Sequence, residues 1–420
     1  MSSTGSDPRT NGLLAGVRVL EVSQNAAVPQ CARLLAGMGA DVIKVEPPTG
    51  DAMRHLAPIG ENESRAFASI NPGKRAIVLD LTDEATRPVL DRLIGWADIL
   101  LIGLKRTDFE RYGLHWDRVK TVKPSLVSLE FTAFGPIGPD ADRGGYDPLI
   151  QGASGLGWSM NRSVNDTPLA TRPAIVDFGS GGYAAAAVLA ALRHAERTGE
   201  GQRVDASLLG TALALGTPLM SGFAPDAERT AGLREELALL RQAGTGFDDQ
   251  RSHFEANLVA LGGLYRLYVR PYRTSDGLIS IAGYSPGLMT RFHELTEVDR
   301  LPASATEDDP HTRATVEQAE AFFATRTTAE WMAELTAIGY PCSPYNTPHE
   351  AIRTEQVEVN GYVVDLEHDV YGEHRVVGMP FSFSDAPVGV TTAAPSLGQH
   401  TAEVLTDLGF SPDEIAQLSP

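Results

Sequence analysis

One carboxylate in this chain stands where it could act on a ligand. Asp177 closes the run Pro173-Ala-Ile-Val-Asp177 and is followed by Gly179-Ser-Gly-Gly182, small residues that permit very close backbone approach of a bound molecule. The same residue also fits the cap of a helix, because the pattern from about Tyr183 to Arg197 is helical. Other reactive residue types lack companions. Cys31 and Cys342 are far apart and show no Cys-x-x-Cys or Cys/His ligand spacing, so neither a disulfide framework nor a zinc site is expected. His55, His115 and His194 have no close His or acidic partner at metal-ligand spacing, and no metal site is predicted. The turn Ser23-Gln-Asn-Ala-Ala-Val-Pro29 carries no Gly-x-Gly-x-x-Gly, which argues against a nicotinamide enzyme. Walker, His-Glu-x-x-His and Gly-x-Ser-x-Gly motifs are absent too.

The elements around Asp177 read as an α/β domain. Val17-Arg-Val-Leu-Glu-Val22 is a strand pattern leading to a helix over Cys31 to Met38, and Ala40 to Glu46 is a second strand. Arg75 to Asp80, a helix over Thr86 to Trp96, Ala97 to Ile102 and Leu126 to Phe131 continue the alternation. Strands alternating with helices predict a doubly wound, mostly parallel, Rossmann-like sheet. Ligands of such sheets bind at the carboxyl ends of strands, where helix N-termini favour negative charge. From Pro225 to Gln250 a charged helical connector intervenes, and Leu267 to Ala282 reads as a hairpin turning at Ser275-Asp-Gly277. Helices are expected over roughly Gly287 to Ile338, an extended segment over Gly361 to Leu366, and a final helix near Gln399 to Leu408.

Composition bounds the function. A chain of 420 residues predicts two or three domains, and 42% hydrophobic with 21% charged residues predicts that most of it folds. Lys plus Arg number 35 against 54 Asp plus Glu, and 35 − 54 = −19 disfavours nucleic acid as a partner. The polar start lacks an apolar signal region, and Ala184 to Leu192 is too short to cross a bilayer, so a soluble protein with no membrane partner is expected. Two isolated cysteines fit a reducing, cytoplasmic location.

Motifs in order along the chain resemble the class III CoA-transferases, the family that includes formyl-CoA transferase, carnitine CoA-transferase and the α-methylacyl-CoA racemases. They are Leu14-Ala-Gly-Val-Arg-Val-Leu20, Gly39-Ala-Asp-Val-Ile-Lys-Val-Glu46 with Gly50-Asp51, and Asn71-Pro-Gly-Lys-Arg-Ala-Ile-Val-Leu-Asp-Leu81. Gly145-Tyr-Asp-Pro-Leu-Ile-Gln-Gly-Ala-Ser-Gly155, Thr198 to Asp205, Pro271 to Gly277 and Ala394 to Thr401 complete the series. Each is weak alone, and together they span nearly the full length.

The resemblance implies a fold, a reaction and a set of residues. Asp177 matches the nucleophile that carries the acyl group, first as a mixed anhydride and then as an aspartyl-CoA thioester. Acyl-CoA and a small carboxylic acid would be the substrates, with no tightly bound cofactor. Lys105 and Arg111 match positions that contact CoA, and Leu79 to Thr82 and Gly144 to Asp147, including Tyr146, match stretches that line it; Lys74 and Arg75 are weaker candidates. Gly179 to Gly182 would offer N–H donors to tetrahedral oxyanions. Ala26 stands where formyl-CoA transferase has a catalytic glutamine and Pro47 where it has a CoA-contacting arginine, which disfavours a formyl/oxalyl pair. Gly103-Leu-Lys-Arg-Thr107 departs from the family loop, and Gly262-Gly263 is a weak remnant of a missing run of four glycines to which no role is assigned. Tyr146 replaces the base histidine of the racemases, so proton abstraction is the lesser reading. The same machinery would also serve an intramolecular CoA transfer, and the altered first turn and Lys105 loop would suit a non-catalytic acyl-CoA-binding paralogue. Family architecture implies a large domain from 1–224 and a returning 346–420 segment, a small domain over 225–345, and an interlocked homodimer, for which the connectors at Pro225 to Gln250 and Tyr345 to Val363 supply length.

Overall fold

A computed structural model describes residues 8–257, 267–302, 305 and 309–418, so Gly262-Gly263 lies outside the described residues. Two compact units form: one takes residues up to Arg162, Leu169–Ser221 and everything from Glu355; the other takes Ser163–Pro168 and Gly222–Thr354. The divisions thus fall at 221/222 and 354/355, beside the expected 224/225 and 345/346, and six residues before Leu169 join the second unit.

The first unit is built on six strands: β1 (Arg18–Ser23), β2 (Asp41–Glu46), β3 (Arg75–Val78), β4 (Ile99–Gly103), β5 (Val127–Thr132) and β6 (Gln202–Ser207). They lie in the order β3-β2-β1-β4-β5-β6, all parallel, which is the doubly wound α/β topology expected. Helix α1 (Ala27–Gly37) follows β1, α2 (Arg87–Trp96) follows β3, and α3 (Arg106–Tyr112) follows β4. After β5 come α4 (Asp147–Ser154) and α5 (Ile175–Thr198), and α6 (Leu208–Leu215) follows β6.

Alternation along the strands divides the core. Val19, Val42, Ile99, Leu101 and Val127 join α1 and α5 in one cluster, whereas Leu20, Val22, Ile43, Val45, Leu100 and Ile102 meet α2 on the other face. The same alternation sends Glu21 and Lys44, register partners on β1 and β2, to the α1 side near the carboxyl edge. Burying two charges there is tolerable only because they pair.

In the second unit the expected hairpin is present as β7 (Val269–Arg273) and β8 (Leu278–Ala282), with β9 (Cys342–Pro344) antiparallel to β8. Its core is aromatic: Tyr272 stacks on Phe323 at 4.4 Å, and the buried Trp331 donates its indole N–H to the Phe323 carbonyl at 2.7 Å. The returning segment adds a hairpin, β10 (Val363–Leu366) with β11 (His374–Val377), and lays Val404 and Leu405 on the α2 face of the sheet.

Candidate active site

Sheet order reverses between β1 and β4, whose last residues, Ser23 and Gly103, are register partners. The crevice outside the strands at such a point is the place where α/β sheets bind ligands. Glycine is required at 103, since an added Cβ would fall 2.8 Å from the Ser23 Cβ and 2.9 Å from Val28. The loops leaving this point carry Ala26 on one side and Lys105 on the other.

Buried charges anchor the first loop. Lys44 Nζ donates to Glu21 and to the Ser23 carbonyl, each at 2.9 Å, and pairs with Asp51 at 2.9 Å. Lys74 Nζ donates to Glu21 at 2.7 Å and to the Pro29 carbonyl and Asn71 at 2.8 Å each. Asp51 in turn accepts from the N–H groups of Asn25 and Met53. Arg54 pairs with Glu46 at 2.7 Å to close the network. Burial opposes ionisation of Glu21, yet Lys44 and Lys74 outweigh it and hold its carboxyl down to about 2. Burial pulls the Lys74 ammonium down to about 8 against the attraction of Glu21. The motif residues Lys74 and Arg75 are thereby spent within the fold, Arg75 on Asp41 and Glu403. Lys74 is buried, whereas the Arg75 side chain stays 18% exposed.

Asp177 lies in the first turn of α5, whose start at Ile175 is eight residues earlier than the sequence pattern predicts. Helix therefore runs through Gly179 to Gly182, and their N–H groups belong to the helical ladder rather than to an oxyanion-binding turn. The cap explains the early start. Ala174 at the N-cap has no side-chain acceptor, and the buried Asp147 supplies one from α4, its Oδ2 accepting from the N–H of Val176 at 2.7 Å and of Asp177 at 3.1 Å. Its Oδ1 accepts from Gln151 Nε2. Gln151 also joins the Thr171 backbone through both ends of its amide, and Asn161 accepts from the Thr171 N–H and hydroxyl. Asp147, expected in the stretch that lines CoA, is only 1% exposed and caps α5.

This arrangement sets the chemistry of Asp177. Burial raises its carboxyl, and the negative charge of Asp147 adds to the effect, bringing it to about 7. A carboxylate poised near neutrality, poorly solvated and held at a helix N-terminus, is a competent nucleophile toward an acyl carbon.

Two further clusters hold the remaining expected residues. Thr82 donates its N–H at 2.9 Å and its hydroxyl at 2.6 Å to Asp80; these bonds hold the Asp80 carboxyl below its usual value, and the nearby charge of Arg111 adds to them. Thr82 and Arg111 are both exposed, and both act on Asp80, Thr82 by hydrogen bonds and Arg111 by its charge. Exposed Lys105 precedes α3 and lies against the Gly144 stretch, where an added Cβ would come 3.0 Å from its Cε. Tyr146, 66% exposed, precedes α4. Leu79, expected in the stretch that lines CoA, is 2% exposed and turns its side chain into the α2-side cluster. Ala26 is buried at the N-cap of α1. Among the described residues no cluster of three His, Cys, Asp or Glu could hold a metal. By length and composition α5 could cross a membrane; in this fold one face of it packs on α1 beside the sheet.

A family model described as CoA-transferase family III matches residues 14–243 and 252–401. The chain belongs to CoA-transferase family III. Among family relatives, a succinate–glutarate CoA-transferase of Agrobacterium fabrum is 30% identical over 96% of this chain and 97% of its own. A formyl-CoA:oxalate CoA-transferase of Streptomyces avermitilis is 31% identical over 96% and 98%. A crystal structure of a CAIB/BAIF family protein from Brucella suis is 26% identical and covers 95% of this chain and all of its own, with a TM-score of 0.72. The protein is thus a family III CoA-transferase. The Asp147, Gln151 and Lys44 roles were not read from the sequence, although a charge inside each of two buried strands, Glu21 and Lys44, was a visible signal.

Proposed function

We propose that this enzyme moves CoA from an acyl-CoA thioester to a carboxylic acid through covalent states of Asp177. The observation that carries the reading is the position of Asp177: a half-buried carboxylate at the start of α5, on the carboxyl edge of the sheet, in a chain of this family. The Asp177 carboxylate attacks the thioester carbon, the C–S bond breaks, and CoA leaves as thiolate, giving a mixed anhydride. The thiolate then attacks Cγ of Asp177 and expels the donor acid as its carboxylate, leaving an aspartyl-CoA thioester. The acceptor carboxylate reverses both steps. Thioester and anhydride are both high in energy, so no nucleotide is consumed, and each hard displacement is divided into easier ones. Water must be kept from the anhydride, which the burial of Asp177 favours.

Exposed Lys105 and Arg111 are suited to the phosphates of CoA, and Thr82 and Tyr146 are exposed as well. We place the enzyme in the cytoplasm as an interlocked homodimer. Exposed apolar residues of α5 and α6, Phe178, Tyr183, Leu213 and Leu215, support a second copy covering that face. Light scattering should then give about twice 44.9 kDa, and a stable, active species of single-chain mass would count against it.

The test is exchange of isotope-labelled CoA between an acyl-CoA and its free acid, screened over mono- and dicarboxylic acids. Transfer predicts exchange that Asp177→Ala abolishes while CoA binding persists. Solvent deuterium at the α-carbon without exchange would instead indicate racemisation, and binding with neither outcome a non-catalytic protein.

A further inference from the structure

Gln30 of α1 faces the helix that carries Asp177, and its amide forms no hydrogen bond among the described residues. Both helices run from the carboxyl edge of the sheet to its amino edge, because α1 follows parallel strand β1 and α5 leads into parallel strand β6. They therefore lie parallel, with their first turns side by side. At Gly181 an added Cβ would fall 2.5 Å from Gln30 Cγ and 3.1 Å from the Cys31 backbone nitrogen, so Gln30 sits level with Gly181. Asp177 is four residues before Gly181, on the same face of α5. Helical side chains lean toward their own N-terminus, which carries the Gln30 amide from the level of Gly181 toward that of Asp177. The missing side chain at Gly181 leaves the lane open.

Gln30 Oε1 is buried and accepts no hydrogen bond among the described residues. Such an unmet acceptor is destabilising, and an apolar residue of the same size would avoid the cost. Its Nε2 has no protein partner among the described residues and is not among the buried unpartnered atoms, so it is open to solvent or to a bound molecule.

We propose that Gln30 is a further catalytic residue, its Nε2–H donating to the oxyanion that forms on Asp177; this rests on the covalent role of Asp177 proposed for the transfer. When the CoA thiolate attacks Cγ of the anhydride, a C–S bond forms and the carbonyl π pair moves onto the Asp177 oxygen. Collapse re-forms that carbonyl and breaks the Cγ–O bond to the donor acid, which departs with the bonding pair. No proton is consumed. Gln30 stabilises the tetrahedral species between these events and again when the acceptor carboxylate attacks the aspartyl thioester.

The test is rapid-quench intact-mass measurement of the CoA adduct on the full-length enzyme with acyl-CoA alone. Gln30→Met keeps the volume and removes the donor; it should slow adduct formation about 10²-fold, the usual loss for one oxyanion donor. CoA affinity should hold within twofold, and the melting temperature should not fall, since an unmet buried oxygen is removed. A merely structural residue would show the reverse, lower stability with the rate retained. Gln30→Leu repeats the comparison in a second packing. Adduct formation within threefold of wild type in either folded variant overturns the role of Gln30 alone. Absence of any adduct in the wild-type enzyme overturns the Asp177 reading and this proposal with it.

Discussion

Replacing Asp177 by Asn should stabilise the enzyme, and increasingly so as the pH rises. The Asp177 carboxyl titrates near 3.8 in an unfolded chain and at about 7 in the fold, first because it is buried and then because Asp147 is negative. Between those values the folded state holds a proton that the unfolded state has lost, so stability falls as pH increases through this window. The interval is worth about 4 kcal/mol at pH 8, at 1.36 kcal/mol per unit, and about 2 kcal/mol at pH 5, where the folded carboxyl is still protonated. Asn does not titrate, and the remaining groups are common to both proteins. The advantage of Asp177→Asn should therefore grow by about 2–3 kcal/mol from pH 5 to pH 8. At about 2–4 °C per kcal/mol, the two melting temperatures should separate by about 5–10 °C more at pH 8 than at pH 5. Paired thermal scans at the two pH values measure this. A gap that stays constant would mean that Asp177 ionises like an ordinary surface carboxylate, and the desolvated nucleophile would have to be abandoned.

Further consequences follow from the same geometry. Wild-type exchange should rise as pH increases through about 7, where Asp177 loses its proton, and Asp147→Asn should move that limb to lower pH by removing the neighbouring charge; an unmoved profile would show that Asp147 does not act on Asp177. Glu21→Gln leaves Lys44 and Lys74 buried with too little countercharge and should cost about 3–5 kcal/mol in denaturant unfolding. In the wild type the Glu21 contribution is complete above its unfolded value of 4.5 and is lost as pH falls toward 2, so the variant's deficit should shrink in acid. Arg111→Ala should raise the KM for acyl-CoA about tenfold or more with kcat little changed, as loss of one charge-assisted phosphate contact predicts; an unchanged KM would remove Arg111 from the site.

Strand and helix order was legible in the sequence because β1, β2, β4 and β5 are apolar runs buried on both faces. Strand β6 was not, since Gln202, Arg203 and Asp205 give an edge strand no apolar run to announce it. The family motifs marked Asp177 but hid why it sits where it does. Its helix begins early because a carboxylate 30 residues away, Asp147, caps it, and no local pattern encodes a cap from another helix. Glycines read as a turn proved to be helical for the same reason, their lack of a side chain serving the contact of Gly181 with α1. The buried pairs of Glu21, Lys44 and Lys74 are long-range in the same sense, although charged residues in otherwise apolar strands were a sign that the chain would need partners for them.

Oxygen tracing tests the covalent account most directly. In the proposed cycle the bridging oxygen of each acceptor anhydride comes from the acceptor acid and stays on the Asp177 carboxylate when the new acyl-CoA departs. Turnover with an acceptor acid carrying ¹⁸O in its carboxylate should leave ¹⁸O in the peptide containing Asp177, and later cycles should pass it to the released donor acid. Turnover that leaves this peptide unlabelled, or that labels Asp147 instead, would contradict the assignment of Asp177 as the residue through which CoA is moved.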